Sequence, residues 1–369
     1  FAPSPEQASI EKYSWFRQNW WGWHAEEHKA AREDVILMDM SLMSKFMVQG
    51  RDACALLSRL SCNQVDVEPG RIVYTQWVNE EGGFEGDLTV TRLALDKYLV
   101  ICGENAHGHT EMRMKRYIRE DEFVTIFDAT AATTQINIHG PKARDLLQQV
   151  SFADMSNEAF PYLTAREIDI GYACVLAIRV TYVGELGWEL HVPTLNATQV
   201  YDQLVEAGQE FGLRHAGLQT LSSLRLEKAY RDFGVDVDNT DNPIEAGLGF
   251  AVKLDKAGGF IGRDALAAIK DKGVPCCRML QFLLHDPEPL LYGNELIYLD
   301  GREVGYLQIG AYGHTLGGAV GIGFARTESP LTAKIVNAGE WEVEIAGQRY
   351  AAQASLKPLY DPNMERIKC

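Results

Sequence analysis

Two widely separated stretches of the chain repeat one short design, and this repeat constrains the fold more than any other feature. Residues 49–57 (Gln-Gly-Arg-Asp-Ala-Cys-Ala-Leu-Leu) and residues 139–147 (His-Gly-Pro-Lys-Ala-Arg-Asp-Leu-Leu) each place a glycine between a strand-like apolar run and a helix start with Leu-Leu. Self-similar segments indicate related structural units. The pattern therefore predicts two related αβ subdomains that are interleaved along the chain.

The character of the sequence changes near residue 275. Beyond it, short apolar runs alternate with glycine turns, and Asp300-Gly301 between apolar runs is typical of a β-hairpin. Because 369 residues exceed what one hydrophobic core usually serves, several domains are expected. We expect an α+β fold of three domains: residues 1–50 with 134–274, residues 51–133, and a β-rich domain of residues 275–369.

The most informative segment for function is Tyr182–Leu190. The run Ile178–Thr181 predicts a strand, two glycines permit a tight turn, and Trp188–Val192 predicts the returning strand of a hairpin. Tyr182 and Glu189 would flank that turn. A carboxylate fixed beside an aromatic ring suits a flat, amide-like heterocycle such as a pterin or a guanine, because the carboxylate accepts its N–H donors. On spacing alone, a solvated hairpin with chance acidic residues is an equally good interpretation.

Other polar residues near glycine turns are also candidates for a site. Asp87 begins a strand in which Leu88 and Val90 alternate with threonines, so it lies on the polar face of that strand or at a sheet edge near a cleft. An acid that merely begins a strand in solvent is the alternative. Arg225 lies in a helix predicted over residues 214–229, where an ordinary surface charge is equally consistent. The candidates besides the hairpin pair are Tyr74, Asp87, Glu185 and Arg225.

Composition and motifs argue against several functions. The formal charge of -16, without a basic run, argues against nucleic acid as a partner. No apolar run approaches the ~18 residues of a membrane span, and no Gly-x-Gly-x-x-Gly dinucleotide fingerprint follows a strand. The seven cysteines include no Cys-x-x-Cys pair, which is typical of a reducing compartment. We therefore expect that the protein binds no nucleic acid, no membrane and no metal. We expect it in the cytoplasm or, in a eukaryote, in the mitochondrial matrix.

The N-terminal region carries tryptophans and a histidine pair. The tryptophans of residues 15–23 are expected to seal a domain interface rather than to line a ligand site. His24 and His28 are four residues apart, but Ala25 stands where the zinc-protease motif needs glutamate, so both are interpreted as surface histidines. The opening Phe1–Pro5 is linker-like and suggests a piece of a longer or processed protein.

Several segments, taken in order, resemble the glycine-cleavage T-protein (aminomethyltransferase) family. In further detail, the chain resembles the C-terminal, folate-binding half of the dimethylglycine and sarcosine dehydrogenases, and Phe1–Pro3 resembles the junction after their flavin domain. The segments that carry the resemblance are Arg17–Trp20, Glu26–His28, Lys45-Phe46, Tyr74-Thr75, Asn79–Gly83, Asp87-Leu88, Tyr182–Glu189, Leu224–Glu227, Phe260–Arg263 and Ala354–Pro362.

The resemblance implies a fold and roles for individual residues. The fold would be a three-domain cloverleaf around a central folate channel, with a β-barrel-like C-terminal domain. Asp87 would assist proton transfer at N5 and N10 of tetrahydrofolate, and Tyr74 would support it. Glu189 would bind the 2-amino and N3 donors of the pterin, with Tyr182 packed nearby, and Arg225 would help to hold the folate.

The function implied by the resemblance is capture of a one-carbon unit on tetrahydrofolate, which forms 5,10-methylenetetrahydrofolate. The unit would be an iminium from an oxidised N-methyl amine, or formaldehyde, made by a flavin-dependent dehydrogenase domain or subunit, so FAD would belong to a separate or missing N-terminal domain. Other T-proteins carry two adjacent acids where Gly86 precedes Asp87 here, which favours the dehydrogenase branch over lipoyl-protein chemistry. A non-catalytic folate-binding or regulatory module, and a folate-dependent demethylase of another methyl donor, remain as alternatives.

Overall fold

The computed structural model describes residues 9–369, so the expectation for Phe1–Pro5 lies outside the described residues. Within that range the chain forms an α+β fold with two open sheets and one closed barrel, which confirms the predicted fold class. The strands are β1 Ile36–Asp39, β2 Ser44–Gln49, β3 Ile72–Val78, β4 Phe84–Ala94, β5 Lys97–Cys102, β6 Thr125–Asp128, β7 Thr133–His139, β8 Ala165–Ile170, β9 Ala173–Ile178, β10 Gly187–Pro193, β11 Arg214–His215, β12 Cys277–Leu284, β13 Leu296–Leu299, β14 Arg302–Gly313, β15 Gly318–Arg326, β16 Trp341–Ile345 and β17 Gln348–Ser355. The helices are α1 Trp21–Glu33, α2 Ala53–Leu60, α3 His107–Arg116, α4 Ala143–Val150, α5 Ala197–Gly208, α6 Leu218–Glu227, α7 Arg263–Asp271, α8 Ala333–Ala338 and α9 Glu365–Lys368.

The first sheet has six strands in the order β11-β1-β7-β10-β9-β8. One face carries Trp188 and Leu190 of β10 and packs on α4 and α5 in a core of buried apolar side chains. Because side chains alternate between the two faces of a strand, the opposite face receives Gly187, Glu189 and His191. That opposite face is turned toward the second sheet.

The second sheet has five strands in the order β3-β4-β5-β2-β6. One of its faces packs on α2 and α3 through residues such as Val73, Trp77 and Leu88. Strand β2, which was expected in the first domain, pairs here with β5 and β6. The boundary between the sheets therefore lies between Asp39 and Ser44 rather than at residue 50, because β2 continues the apolar pattern of the second core.

The repeated strand–glycine–helix design has the same geometry in both sheets. Gly50 and Gly140 follow β2 and β7 with an identical φ of 133°, and each precedes a helix, α2 or α4. A Cβ on Gly50 would overlap the carbonyl oxygen of Phe123, and one on Gly140 would overlap that of Asp34. The repeat in sequence thus corresponds to a repeated close approach between two backbones.

We expect Gly140→Ala to destabilise the protein by about 1–3 kcal/mol, because a left-handed backbone conformation is strained for alanine and the overlapping atom belongs to a backbone that cannot move aside. The matched control is Gly108→Ala in α3, where no atom lies within 4 Å of the added Cβ. Its free energy of unfolding should equal that of wild type or exceed it by up to about 1 kcal/mol. Urea unfolding of both variants measures the difference, and equal midpoints would show that the approach at Gly140 is not tight.

The C-terminal region closes into a barrel in the order β12-β15-β14-β13-β16-β17. A junction of charged residues lies where the barrel meets the rest of the protein: Arg32 of α1 lies 2.9 Å from Glu227 of α6 and 3.1 Å from Glu185. Glu227 also accepts the backbone N–H of Thr315 at 2.8 Å, and Glu185 binds Arg366 at 3.0 Å. Glu185 is therefore part of a structural junction and is not free to act as a site residue.

Three local expectations are wrong. The first strand of the hairpin ends at Ile178, and residues 179–186 are an irregular connection to β10. The helix expected over 214–229 begins only at Leu218, because residues 214–215 pair with β1. His24 and His28 are buried rather than on the surface, since α1 packs against α6 and the barrel loop that carries His314.

The tryptophans of residues 15–23 divide between two environments. Trp21 packs against Tyr312 of the barrel at 4.7 Å between ring centroids, as an interface residue does. Trp15 is 85% exposed. None of the helices within residues 9–369 is long and apolar enough to cross a membrane.

Candidate functional site

The two open sheets face each other through an apolar contact, and the region beside that contact, defined by Tyr74, Gln76, Asp87 and Glu189, is termed the cleft. Ile178 of the first sheet packs against Ile72, Leu99 and Ile101 of the second. Strand alternation places Tyr74, Gln76 and Asp87 on the same face of the second sheet as these residues, and it places Glu189 beside Ile178 on the first. Polar side chains from both sheets therefore line the space beside the apolar contact.

Asp87 and Tyr74 are brought together on β4 and β3. Gln76, directly opposite Asp87 in register, donates its amide N–H to the Asp87 carboxylate at 2.9 Å. The Tyr74 hydroxyl also hydrogen-bonds to this carboxylate. Asp87 is thus held by two donors within the cleft rather than lying in an exposed turn.

Burial raises the pKa of Asp87 from 3.8 to about 6, and the negative charge of Asp232 adds to the rise. The hydrogen bonds from Gln76 and Tyr74 and the charge of Arg231 act in the opposite direction. A carboxylate with this pKa is ionised at neutral pH but takes up a proton readily. Such a group suits proton transfer to and from an amine, because a general base works best when its pKa lies near the working pH.

Tyr182 and Arg225 form a supporting wall, because both hydrogen-bond to the segment of Tyr230 and Arg231, and the charge of Arg231 acts on Asp87. The Tyr182 hydroxyl donates to the backbone carbonyl of Arg231 at 2.6 Å, and its ring stacks on Tyr230 with 5.8 Å between centroids. Arg225 is buried and pairs with Asp236, while also donating to the carbonyl of Tyr230 at 3.0 Å. Both side chains hold the segment of Tyr230 and Arg231 in place, so their polar atoms are already used within the protein.

Glu189 projects into the cleft from β10. In strand register it lies between Asn137 of β7 and Ile178 of β9. Its side chain is 16% exposed, and its carboxylate lies 3.6 Å from Nε2 of His191, which is longer than a hydrogen bond. The carboxylate therefore keeps acceptor capacity for N–H donors of a ligand.

The cleft contains buried polar atoms that have no partner among the described residues. They are Oε1 of Gln76, Oε1 of Gln135 and both ring nitrogens of His191. Buried polar groups in native proteins are nearly always hydrogen-bonded. The unpartnered atoms beside Asp87 and those beside Glu189 therefore fit polar groups of a ligand, N–H donors among them.

Sequence reasoning missed several residues of this site. It did not identify Gln76 and Arg231, which hydrogen-bond to Asp87 and act on its charge, respectively. It also did not identify Lys45, a fully buried cation that interacts electrostatically with Glu189. The strand alternation of residues 72–78 could have placed Gln76 beside Tyr74. Nothing local in the sequence indicates that Arg231 approaches Asp87, because a chain reversal after α6 brings it there.

The raised pKa of Asp87 predicts a stability effect with a definite sign. The folded state holds the Asp87 proton more tightly than the unfolded state, so this residue costs stability as pH rises from 3.8 to about 6, and the full cost remains above that range. Asp87→Asn should therefore stabilise the protein at pH 7.5, by about 1–3 kcal/mol, and have no stabilising effect near pH 4. Thermal melting at both pH values checks this, and a lower melting temperature at pH 7.5 would contradict it.

Two family models match the chain: the GCVT N-terminal domain over residues 4–256 and the glycine cleavage T-protein C-terminal barrel domain over residues 278–361. A solved structure described as glycine cleavage system aminomethyltransferase T from Bartonella henselae superposes with a TM-score of 0.80 over 92% of this chain and 90% of that chain. At 22% identity, this similarity concerns the fold alone.

Curated relatives include longer proteins. The chain is 41% identical to 4-methylaminobutanoate oxidase (formaldehyde-forming) of Paenarthrobacter nicotinovorans over 99% of its own length and 43% of that protein. It is 36% identical to mitochondrial sarcosine dehydrogenase of Mus musculus over 93% of its length and 39% of that protein. The chain thus spans less than half of the length of these relatives.

Proposed function

The chain belongs to the glycine-cleavage T-protein family of folate-dependent one-carbon transferases, and from this premise we propose that it captures the one-carbon unit of an oxidised N-methyl amine to form 5,10-methylenetetrahydrofolate. The observation that carries the proposal is the cleft in which Asp87, with a pKa of about 6, and the acceptor Glu189 project from opposed sheets. We assign the catalytic role to Asp87 with Tyr74 as its support. We assign pterin recognition to Glu189, with Tyr182 and Arg225 as residues of the supporting wall.

When bound, tetrahydrofolate supplies two neighbouring amine nitrogens, N5 and N10, that can hold one carbon between them. Glu189 would fix the pterin edge by accepting its N3 and 2-amino hydrogens. Asp87, ionised at neutral pH, would accept the proton from N10, and its negative charge would stabilise positive charge that develops nearby. Holding the reacting nitrogen close to the incoming carbon favours capture over loss of formaldehyde to water.

We place amine oxidation in a flavin-dependent unit outside this chain. Support comes from the relatives named as an oxidase and a dehydrogenase, of which the chain spans less than half. The amine itself is set by that unit, so the identity of the N-methyl amine would follow from the flavin site and not from the cleft described above.

The test of the proposed function is calorimetric titration of the purified chain with tetrahydrofolate, followed by assay of methylenetetrahydrofolate formation from formaldehyde above the uncatalysed rate. We expect both binding and an accelerated rate. Binding without acceleration would support the non-catalytic folate-binding module instead. Absence of binding would overturn the proposed function, and acceleration only with another methyl donor would support the demethylase alternative.

A further inference from the structure

Two amide side chains of β7, Gln135 and Asn137, lie on the cleft face next to Glu189. Asn137 stands directly opposite Glu189 in strand register, and Gln135 stands opposite His191. Directly opposed residues of antiparallel strands have Cβ atoms about 4.5–5.5 Å apart. Asn137 is 5% exposed and Gln135 is 1% exposed, so neither is an ordinary surface amide.

A hydrogen bond fixes the orientation of both amides. Nε2 of Gln135 donates to Oδ1 of Asn137 at 3.1 Å. The Asn137 oxygen is thereby used as an acceptor toward Gln135, and its amide nitrogen is the atom that remains as a donor. Oε1 of Gln135 has no partner among the described residues. A buried acceptor of this kind is satisfied by an ordered water or by a ligand donor.

The side chains at this point form an ordered array. Asn137 offers a donor, and the Glu189 carboxylate beside it offers two acceptors. A 4-oxo pteridine presents the complementary order along one edge, which is the 4-oxo acceptor, the N3–H donor and the 2-amino donor. A 4-amino pteridine instead places a donor where the oxo group stood, opposite the Asn137 donor.

We propose, resting on the proposed function, that Asn137 is a specificity-determining residue that donates a hydrogen bond to the 4-oxo oxygen of the pteridine. Gln135 is the positioning residue that locks the Asn137 amide with its nitrogen toward the ligand. The pair therefore makes the site discriminate a 4-oxo pteridine from a 4-amino pteridine. A mere buried polar pair would affect stability but would not alter that discrimination.

The experiment is calorimetric titration of the purified chain with tetrahydrofolate and with its 4-amino counterpart, reduced to the same level. The measured quantity is the ratio of the two dissociation constants. We expect Asn137→Ala to shift this ratio by about 5- to 50-fold toward the 4-amino ligand, since it removes one hydrogen bond to the oxo group and one clash between donors. Gln135→Met should shift the ratio in the same direction by a smaller factor, because it frees the Asn137 amide to rotate.

Asn137→Asp keeps the shape of the side chain but presents only acceptors, so it should shift the ratio further than alanine and serves if the alanine variant does not fold. The matched control is Asn337→Ala on the exposed surface of α8, which should leave the ratio at its wild-type value. If wild type binds tetrahydrofolate and no variant at Asn137 changes the ratio, this inference is overturned while the proposed function stands. If wild type binds neither pteridine, the proposed function fails and the inference falls with it.

Discussion

Asp87→Asn should slow formation of 5,10-methylenetetrahydrofolate by about 10²–10⁴-fold, the usual contribution of a positioned acid–base group. Asparagine keeps the size of the side chain and can still accept the hydrogen bond from Gln76. It cannot take up a proton from N10 or carry negative charge. Tetrahydrofolate should therefore still bind with nearly wild-type affinity, and the loss should fall on the rate.

The pH dependence of the rate separates a proton-transfer role from a structural one. Because the pKa of Asp87 is about 6, the wild-type rate should fall as pH is lowered through that value, while the carboxylate becomes protonated. The residual rate of Asp87→Asn should not show this fall at low pH. Rates are measured with formaldehyde and tetrahydrofolate after subtraction of the rate without protein.

A matched control for this prediction is Asp202→Asn, at an exposed position of α5. Its rate should equal that of wild type at every pH. If Asp87→Asn shows a normal rate and a lowered melting temperature, Asp87 merely supports the strand, and the catalytic assignment is wrong. If Asp87→Asn instead loses most of its rate and melts at a higher temperature at pH 7.5, the protein keeps an unfavourably buried charge at Asp87 because its function requires it.

Much of the fold could be predicted from sequence because local signals agree with it. The glycines at 50 and 140 are required by backbone geometry, so the repeat that contains them is visible in the sequence. The boundary between the first two domains was misplaced because β1 and β2 are consecutive apolar runs, and only pairing shows that they belong to different sheets. Such pairing is decided by long-range packing rather than by local propensity.

The site was partly visible for a similar reason. Residues that share a strand face, such as Tyr74 and Asp87 on neighbouring strands, follow from alternation once the hairpin of β3 and β4 is recognised. Tyr182 and Glu189 were expected to flank one tight turn, but Tyr182 lies within the irregular connection of residues 179–186 and Glu189 lies in β10. Glu185, between them, is held in the ion-pair junction. Arg225 was expected to help to hold the folate, and that role stays a prediction. Its guanidinium pairs with Asp236, a partner that nothing local in the sequence indicates.

Glu189→Ala should weaken tetrahydrofolate binding by about 10²–10⁴-fold, because two hydrogen bonds to a charged group are each worth about 1.5–3 kcal/mol. The Glu189 carboxylate is available to accept these two hydrogen bonds, since His191 at 3.6 Å is too distant to hydrogen-bond to it. Asn137 lies directly opposite Glu189 in strand register. Removal of the side chain also leaves the N3 and 2-amino donors of the pterin unpaired in a buried cleft.

Glu189→Gln sharpens the interpretation of that result. Its amide oxygen can accept one of the two donors, but its amide nitrogen faces the other, so its affinity should lie between those of wild type and alanine or fall to the alanine value. Glu206→Ala, at an exposed position of α5, is the matched control and should bind as wild type does. Calorimetry on all four proteins gives the dissociation constants directly. Unchanged affinity in Glu189→Ala would remove Glu189 from the pterin site, since a carboxylate that accepted the N3 and 2-amino hydrogens could not be lost without weaker binding.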